Sequence, residues 1–78
     1  MSTLSLNMLQ VGQSARVEAV AARPDLQRRL LDLGLIPGTA VTCTAKSPAG
    51  DPAAYLIRGA VIALRSRDAA GVRLEGEP

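Results

Sequence analysis

Hydrophobic and polar positions alternate with period two in several short segments of this chain. The first segment runs from Ser14 to Ala21 and the second covers residues 41–46, and both patterns predict half-buried strands. The side chains predicted to point inward are Ala15, Val17 and Ala19 in the first segment and Val41, Cys43 and Ala45 in the second.

The segment between these strands has a helical period. Leu26, Leu30 and Leu33 recur at i, i+4 and i+7 and form one apolar stripe, which predicts a helix from Pro24 to Leu33. Proline suits the first helical position because its missing N–H would have no partner there, and Asp25 complements the positive end of the helix dipole.

The residues after the helix predict two turns. Gly34 can adopt the left-handed conformation that ends a helix, so a Schellman motif would fold Leu35 back onto Leu30. Pro37 and Gly38 then occupy the two central positions of a type II turn.

The second half of the chain reads as a loop, a hairpin and a final strand. Ser47–Pro52 is dense in turn formers and predicts a loop. The other elements predicted are strands at about Ala53–Arg58, Ala60–Arg65 and Val72–Glu75, a bend at Gly59, and one helical turn over Ser66–Ala70 with Asp68 near its start.

About five short strands and one short helix predict a mainly β fold, a small and strongly bent antiparallel barrel. The 78 residues form one domain, 1–78, with a core over about residues 6–75 and frayed ends such as the tail 76–78. A core of this size provides about 3–5 kcal/mol of stability.

Composition indicates an aliphatic core and a reducing compartment. Tyr55 is the single aromatic residue, and Cys43 is the single cysteine, which has no partner for an intrachain disulfide. No apolar run approaches the ~18–20 residues of a membrane-spanning helix, and the N-terminus lacks the pattern of a signal peptide. These features predict a cytoplasmic protein without membrane insertion.

The net charge of +2 comes from nine basic and seven acidic residues that are interleaved along the chain. Arg28-Arg29 is the single basic doublet, and no aromatic platform is available for stacking bases. The pattern therefore favours a solvated surface over nucleic-acid binding.

Candidate chemistry is sparse. The chain has no histidine and no phosphate-binding loop, and Cys43 lies mid-strand among inward residues, so we predict no catalytic residue and no cofactor. Ligands for a transition metal must converge, and here the acids are solitary, so no intrinsic metal site is predicted. Surface carboxylates such as Glu18, Asp25 and Asp32 are able to share a metal ion between molecules, which keeps weak transition-metal binding open.

The apolar end of the helix is the leading functional candidate. Leu31 lies about 100° around the helix from Leu30. The hypothesis is a partner-binding patch whose residues are Leu31, Leu35 and Ile36, rimmed by Arg28, Arg29 and Asp32. The alternative is that these apolar residues simply cover the open end of a barrel that has no aromatics to fill it.

A loop and a charged pair in the second half of the chain are further candidates. The Ser47–Pro52 loop is a second candidate, because hairpin loops of such barrels often shape a peptide groove, and its alternative is a plain connector. Arg65 and Asp68, at i and i+3, are predicted to form a local ion pair.

Three landmarks, taken in order, resemble the FeoA family. A lead-in with Leu6 and Leu9 reaches Val11-Gly12-Gln13. The helix end reads Leu-Leu-Asp-Leu-Gly-Leu-Ile-Pro-Gly-Thr-Ala-Val over residues 30–41. The third landmark, Gly-Ala-Val-Ile-Ala-Leu-Arg-Ser-Arg-Asp-Ala, covers residues 59–69. The resemblance spans about residues 6–75, and the joint occurrence of the last two elements makes it specific.

The resemblance implies an SH3-like fold and a non-enzymatic accessory of bacterial ferrous-iron uptake. It implies as partner the FeoB permease, through its cytosolic part, and the apolar patch would dock on that permease or on another copy of the chain. A related module is appended to iron-dependent repressors that carry an upstream DNA-binding motif, for which this chain has no room. A detached regulatory module of repressor type, or a small nucleic-acid-binding barrel, remains the alternative, and a steep salt dependence of nucleic-acid binding would favour it.

Overall fold

The structure is a computed structural model and describes residues 4–75. The elements of that part are β1 (Leu4–Ser5), a 3₁₀ turn (Leu6–Met8), β2 (Ser14–Val20), α1 (Pro24–Asp32), β3 (Ala40–Lys46), β4 (Ala53–Ile57), β5 (Ala60–Leu64), α2 (Ser66–Ala69) and β6 (Val72–Leu74). The predicted frayed tail at 76–78 lies outside the described residues. Every predicted strand is present, with ends within one residue of the expected positions.

The strands form one sheet in the order β1-β6-β2-β3-β4-β5, and every neighbouring pair is antiparallel. The predicted mainly β, antiparallel architecture with one short helix is therefore confirmed, with α2 as the expected extra turn. The sixth strand, β1, was not predicted because two residues are too few to show an alternation. It pairs with β6, which in turn pairs with β2, so the two ends of the described chain lie side by side.

Two irregularities in strand pairing correct the predicted inward positions. In β2 the register with β6 shifts between Val17 and Ala19, so Val17 and Val20 are buried while Ala19 is only partly covered. In β3 the register with β4 shifts between Cys43 and Ala45, and Ala45 is exposed. An extra residue on one strand reverses the alternation beyond it, so a strict period of two fails after each bulge.

The core lies between the curved sheet and α1 and is almost wholly aliphatic. Tyr55, 1% exposed, is its largest side chain, and Cys43 beside it in the neighbouring strand is completely buried. Among residues 4–75 no polar or charged side chain belongs to the buried set. The expected role of Cys43 as a structural thiol fits this position, because a thiol without solvent contact is a poor nucleophile.

Helix α1 follows the predicted stripe and ends as its sequence requires. Leu30 is 1% exposed, and Leu26 and Leu33 pack partly buried against the core. Gly34, at a φ of 107°, donates its N–H to the Leu31 carbonyl at 3.0 Å, and Leu35 donates to the Leu30 carbonyl at 3.1 Å. These two bonds are the Schellman motif, which returns the chain to the core immediately after the helix.

The two turns that connect α1 to β3 and β4 to β5 have standard β-turn geometries. Thr39 donates its N–H to the Ile36 carbonyl at 3.0 Å across Pro37-Gly38, as in a type II turn. The β4–β5 hairpin turns at Arg58-Gly59, both with positive φ (51° and 83°), which is the two-residue type I′ geometry suited to twisted strands.

Candidate functional site

The outer face of α1 carries a shallow depression. Leu31 lies in it, half-buried, and its side chain also packs against the core. The residues that line the depression are Pro24, Asp25, Gln27, Arg28, Leu31 and Asp32. Three residues of the predicted patch, Arg28, Leu31 and Asp32, are thus brought together on one surface.

Ile36 follows α1 by one short turn and is 40% exposed, so it remains an apolar surface residue as predicted. Leu35 is different. Its side chain is 0% exposed, so its predicted place on a partner-binding surface is wrong. The Schellman bonds direct Leu35 into the core.

Arg29 does not line the depression with its neighbour Arg28. It lines a second groove, which runs between α1 and the segment from β5 to α2. Consecutive helical residues are separated by about 100° around the axis, so the basic doublet is divided between two surfaces. The structure therefore reduces the predicted patch to Leu31 and Ile36 with Arg28 and Asp32.

The second groove gathers arginines that are distant in the sequence. The residues that line it are Arg23, Asp25, Leu26, Arg29, Ala63, Leu64, Arg65, Arg67 and Asp68. We call it the arginine groove. No run or period in the sequence connects residues 23 and 29 with 65 and 67, so this groove was not predicted. The four arginines share one groove because α1 lies beside the β5–α2 segment in the folded chain.

The Ser47–Pro52 loop is tied to α2. Within the loop, Gly50 donates its N–H to the Ser47 carbonyl at 2.7 Å. The Asp51 carboxylate accepts the backbone N–H of Ser66 at 2.8 Å, which satisfies a free donor at the start of α2. These contacts favour the connector interpretation of the loop, whose residues line neither of the two grooves.

The ion pair predicted between Arg65 and Asp68 is absent among the described residues. Within residues 4–75 the ion pair that forms is between Arg23 and Asp25, at the start of α1. Its Nε and Oδ1 atoms are 3.6 Å apart, and both side chains are 78% exposed. Exposed pairs of this kind contribute little to stability. Asp68 instead lies in the first turn of α2, where a carboxylate complements the helix dipole.

Within residues 4–75 no group of three or more His, Cys, Asp or Glu side chains lies close enough to hold a metal ion. The Cys43 thiol lies 3.8 Å from the Ala45 carbonyl oxygen. Burial raises the pKa of Tyr55 above 10.0, and the nearby Cys43 and Asp51 add smaller increments in the same direction. A phenol with a raised pKa is a weaker acid and keeps its proton near neutral pH, so Tyr55 is not poised to exchange a proton there.

Comparison with known families gives a direct result. The model of the FeoA domain matches residues 4–76, nearly the whole chain. The chain belongs to the FeoA family.

FeoA relatives include both free-standing and fused proteins. The Fe(2+) transport protein A/Fe(2+) transporter FeoB fusion protein of Porphyromonas gingivalis is 31% identical over 72 residues, which is 92% of this chain and 8% of the fusion protein. This FeoA chain thus spans about 8% of the length of that curated relative.

Two solved FeoA structures have the same architecture. FeoA of Chlorobium tepidum matches with a TM-score of 0.84 and 35% identity, covering 91% of this chain and 68% of that one. FeoA of Stenotrophomonas maltophilia, solved in complex with zinc and described as a procaryotic SH3 domain protein, matches with a TM-score of 0.83 and 33% identity. That match covers 92% of this chain and 89% of the other. In this FeoA chain, no helix within residues 4–75 has both the length and the hydropathy needed to cross a bilayer.

Proposed function

We propose that this FeoA chain is a non-enzymatic, cytoplasmic accessory of ferrous-iron uptake that binds the cytosolic part of a FeoB-type permease. The observation that supports this most is the fused relative, in which an FeoA domain and an FeoB transporter share one polypeptide. Fusion keeps two modules at a high effective concentration, which is useful when the contact between them is weak.

The contact surface we propose is the outer face of α1 with the turn that follows it. Leu31 and Ile36 provide its apolar part, and Arg28 and Asp32 provide charged groups beside Leu31. A small apolar centre with a polar border is the usual anatomy of a protein interface.

The experiment is affinity capture of the detergent-solubilised FeoB-type permease of the same organism by immobilised FeoA. Leu31→Glu should abolish capture while circular dichroism stays native. Because Leu31 also packs against the core, Ile36→Glu is a second variant that tests the same surface with less risk to folding.

Val11→Glu is the matched control. Val11 is 56% exposed and lies outside both grooves, so the same loss of apolar surface and gain of charge should leave capture intact. Equal capture by natively folded Leu31→Glu and Ile36→Glu variants would exclude this surface. Capture of a second copy of FeoA in place of the permease would assign the surface to self-association.

A further inference from the structure

The arginine groove is a second surface, which adjoins the α1 face proposed to contact the permease and shares Asp25 with it. Its volume is about 770 Å³, which lies within the range of volumes found for ligand-binding pockets. Leu26 and Leu64 contribute apolar side chains to it, and α1, the end of β5 and α2 form its borders.

The charge of this groove is strongly one-sided. It contains four arginines against two aspartates, so it alone accounts for the formal net charge of +2. Asp25 is engaged with Arg23, while Arg29, Arg65 and Arg67 have no carboxylate within 4.0 Å in the described part of the chain. Three exposed guanidinium groups therefore have no ion-pair partner in the described part of the chain and are available to an incoming anion.

The free edge of the sheet borders the same groove. β5 is the last strand in the sheet order, and among residues 4–75 it pairs only with β4. Because Ile57 and Ala60 flank the two-residue turn, the hydrogen-bonded pairs place the N–H and C=O groups of Val61 and Ala63 on the side away from β4. Ala63 lines the arginine groove, so unpaired backbone groups and arginines lie together there.

We propose that the arginine groove binds an extended acidic segment of a protein partner. The segment adds to the free edge of β5 through main-chain hydrogen bonds, and its carboxylates pair with Arg29, Arg65 and Arg67. Strand addition supplies affinity that does not depend on sequence, and the arginines select for acidic side chains.

The groove chemistry favours a peptide over a nucleic acid. None of its lining residues is aromatic, so it offers no face on which bases stack. Val61 and Ala63 each present an N–H donor and a C=O acceptor, which complement the edge of another strand, whereas a phosphate offers acceptors alone. This inference does not depend on the permease contact, because the two surfaces use different arginines.

The first test is fluorescence anisotropy with a labelled peptide in which glutamate alternates with threonine. Binding should weaken as salt is raised, and Arg65→Glu/Arg67→Glu should reduce the affinity about tenfold or more. The control is Lys46→Glu/Arg73→Glu, which changes the net charge by the same amount at residues outside the groove and should leave the affinity within about twofold. If both double variants lost the same affinity for the peptide, overall charge would explain the loss and the proposal would be overturned.

The second test addresses the strand edge. Ala63→Pro removes an N–H that points away from β4, so the β4–β5 ladder is kept while the free edge is blocked. We expect this variant to lose peptide binding and keep its native circular dichroism. Peptides N-methylated at alternate positions test the same contact on the unchanged protein, and equal affinity of both methylated registers would overturn strand addition.

Competition identifies the ligand class. Pyrophosphate and a single-stranded oligonucleotide should displace the peptide only at concentrations far above that of an unlabelled copy of the peptide. If the oligonucleotide binds more tightly than the peptide, and Arg65→Glu/Arg67→Glu removes that binding, the groove is a nucleic-acid site and the proposal fails.

Discussion

The turn that ends α1 and the loop between β3 and β4 are built from the same residue types but are held in place differently. After α1, a positive-φ glycine is followed at once by Leu35, which is completely buried. The Ser47–Pro52 loop also has a positive-φ glycine, Gly50, but it buries no hydrophobic side chain and is joined to α2 by the Asp51 carboxylate.

The conformation of a turn residue therefore matters most for stability where the next side chain is buried in the core. At Gly34 a change of conformation would withdraw Leu35 from the core. At Gly50 a change of conformation would disturb mainly solvent-exposed backbone.

Leu35→Ala should lower the free energy of unfolding by about 2–5 kcal/mol, because it removes a completely buried leucine and leaves a cavity. In a domain this small, loss of the cooperative transition would be an equally supportive result. Urea denaturation followed by circular dichroism measures the change.

Ile36→Ala is the adjacent control for that change. Its side chain is 40% exposed, so we expect a loss well under half that of Leu35→Ala. Similar losses at the two positions would contradict the division between buried Leu35 and exposed Ile36.

Gly34→Ala should destabilise FeoA by about 2–4 kcal/mol, the sum of the penalty for a positive φ and of crowding. A Cβ at this position would lie 2.8 Å from Cδ of Arg58 and 3.3 Å from Cγ2 of Ile57. Arg58 is able to move aside, but Ile57 is 1% exposed and fixed in the core. Denaturation curves of the variant and the parent give the difference.

Gly50→Ala is the matched control, with a φ of 86° and no atom within 4 Å of the added Cβ. Only the backbone penalty of about 1–2 kcal/mol applies there. Equal effects at Gly34 and Gly50 would mean that the contact with Ile57 contributes nothing.

Asp51→Ala should destabilise the protein by about 1 kcal/mol, because the backbone N–H of Ser66 loses its acceptor. Asp51→Asn keeps a side-chain oxygen and should recover part of the loss. Thermal denaturation of both variants separates the hydrogen bond from the charge, and an unchanged Asp51→Ala transition would show that the loop is not held by this contact.

Tyr55 provides the smallest effect and a pH test. Its pKa is raised above 10.0, first by burial and then by Cys43 and Asp51. The folded protein therefore keeps this proton at pH values where the unfolded chain has lost it. Its contribution to stability is intact below about pH 10 and declines as pH rises from there through the folded-state pKa.

The measurement for Tyr55 is tyrosinate absorbance during alkaline titration. Tyr55 is the single aromatic residue, so the signal reports one group. The native protein should titrate at higher pH than the same protein in concentrated urea. Coincident curves would mean that burial does not hold the proton.

Much of the fold could be predicted because its signals are local. The stripe of α1, the Schellman end at Gly34 and the Pro37-Gly38 turn each depend on residues a few positions apart. The bulges in β2 and β3 were missed, because a register shift is decided by the partner strand and leaves the local pattern unchanged.

The candidate surfaces were predicted less completely. Leu31 and Ile36 were identified from their position beyond the apolar stripe, whereas Leu35 was placed on the surface although its own Schellman motif buries it. The arginine groove was missed, because it forms only when α1 and the β5–α2 segment are packed together.

In this FeoA chain the ends of α1, the main turns and the five longer strands follow from the sequence alone. These features depend on steric limits and hydrogen bonds within a few residues. Only the tertiary structure decided which faces of the strands are buried after a bulge, and which charges converge. Those outcomes depend on contacts between different elements, β2 with β6, β3 with β4 and α1 with the β5–α2 segment, and no local period in the sequence records them.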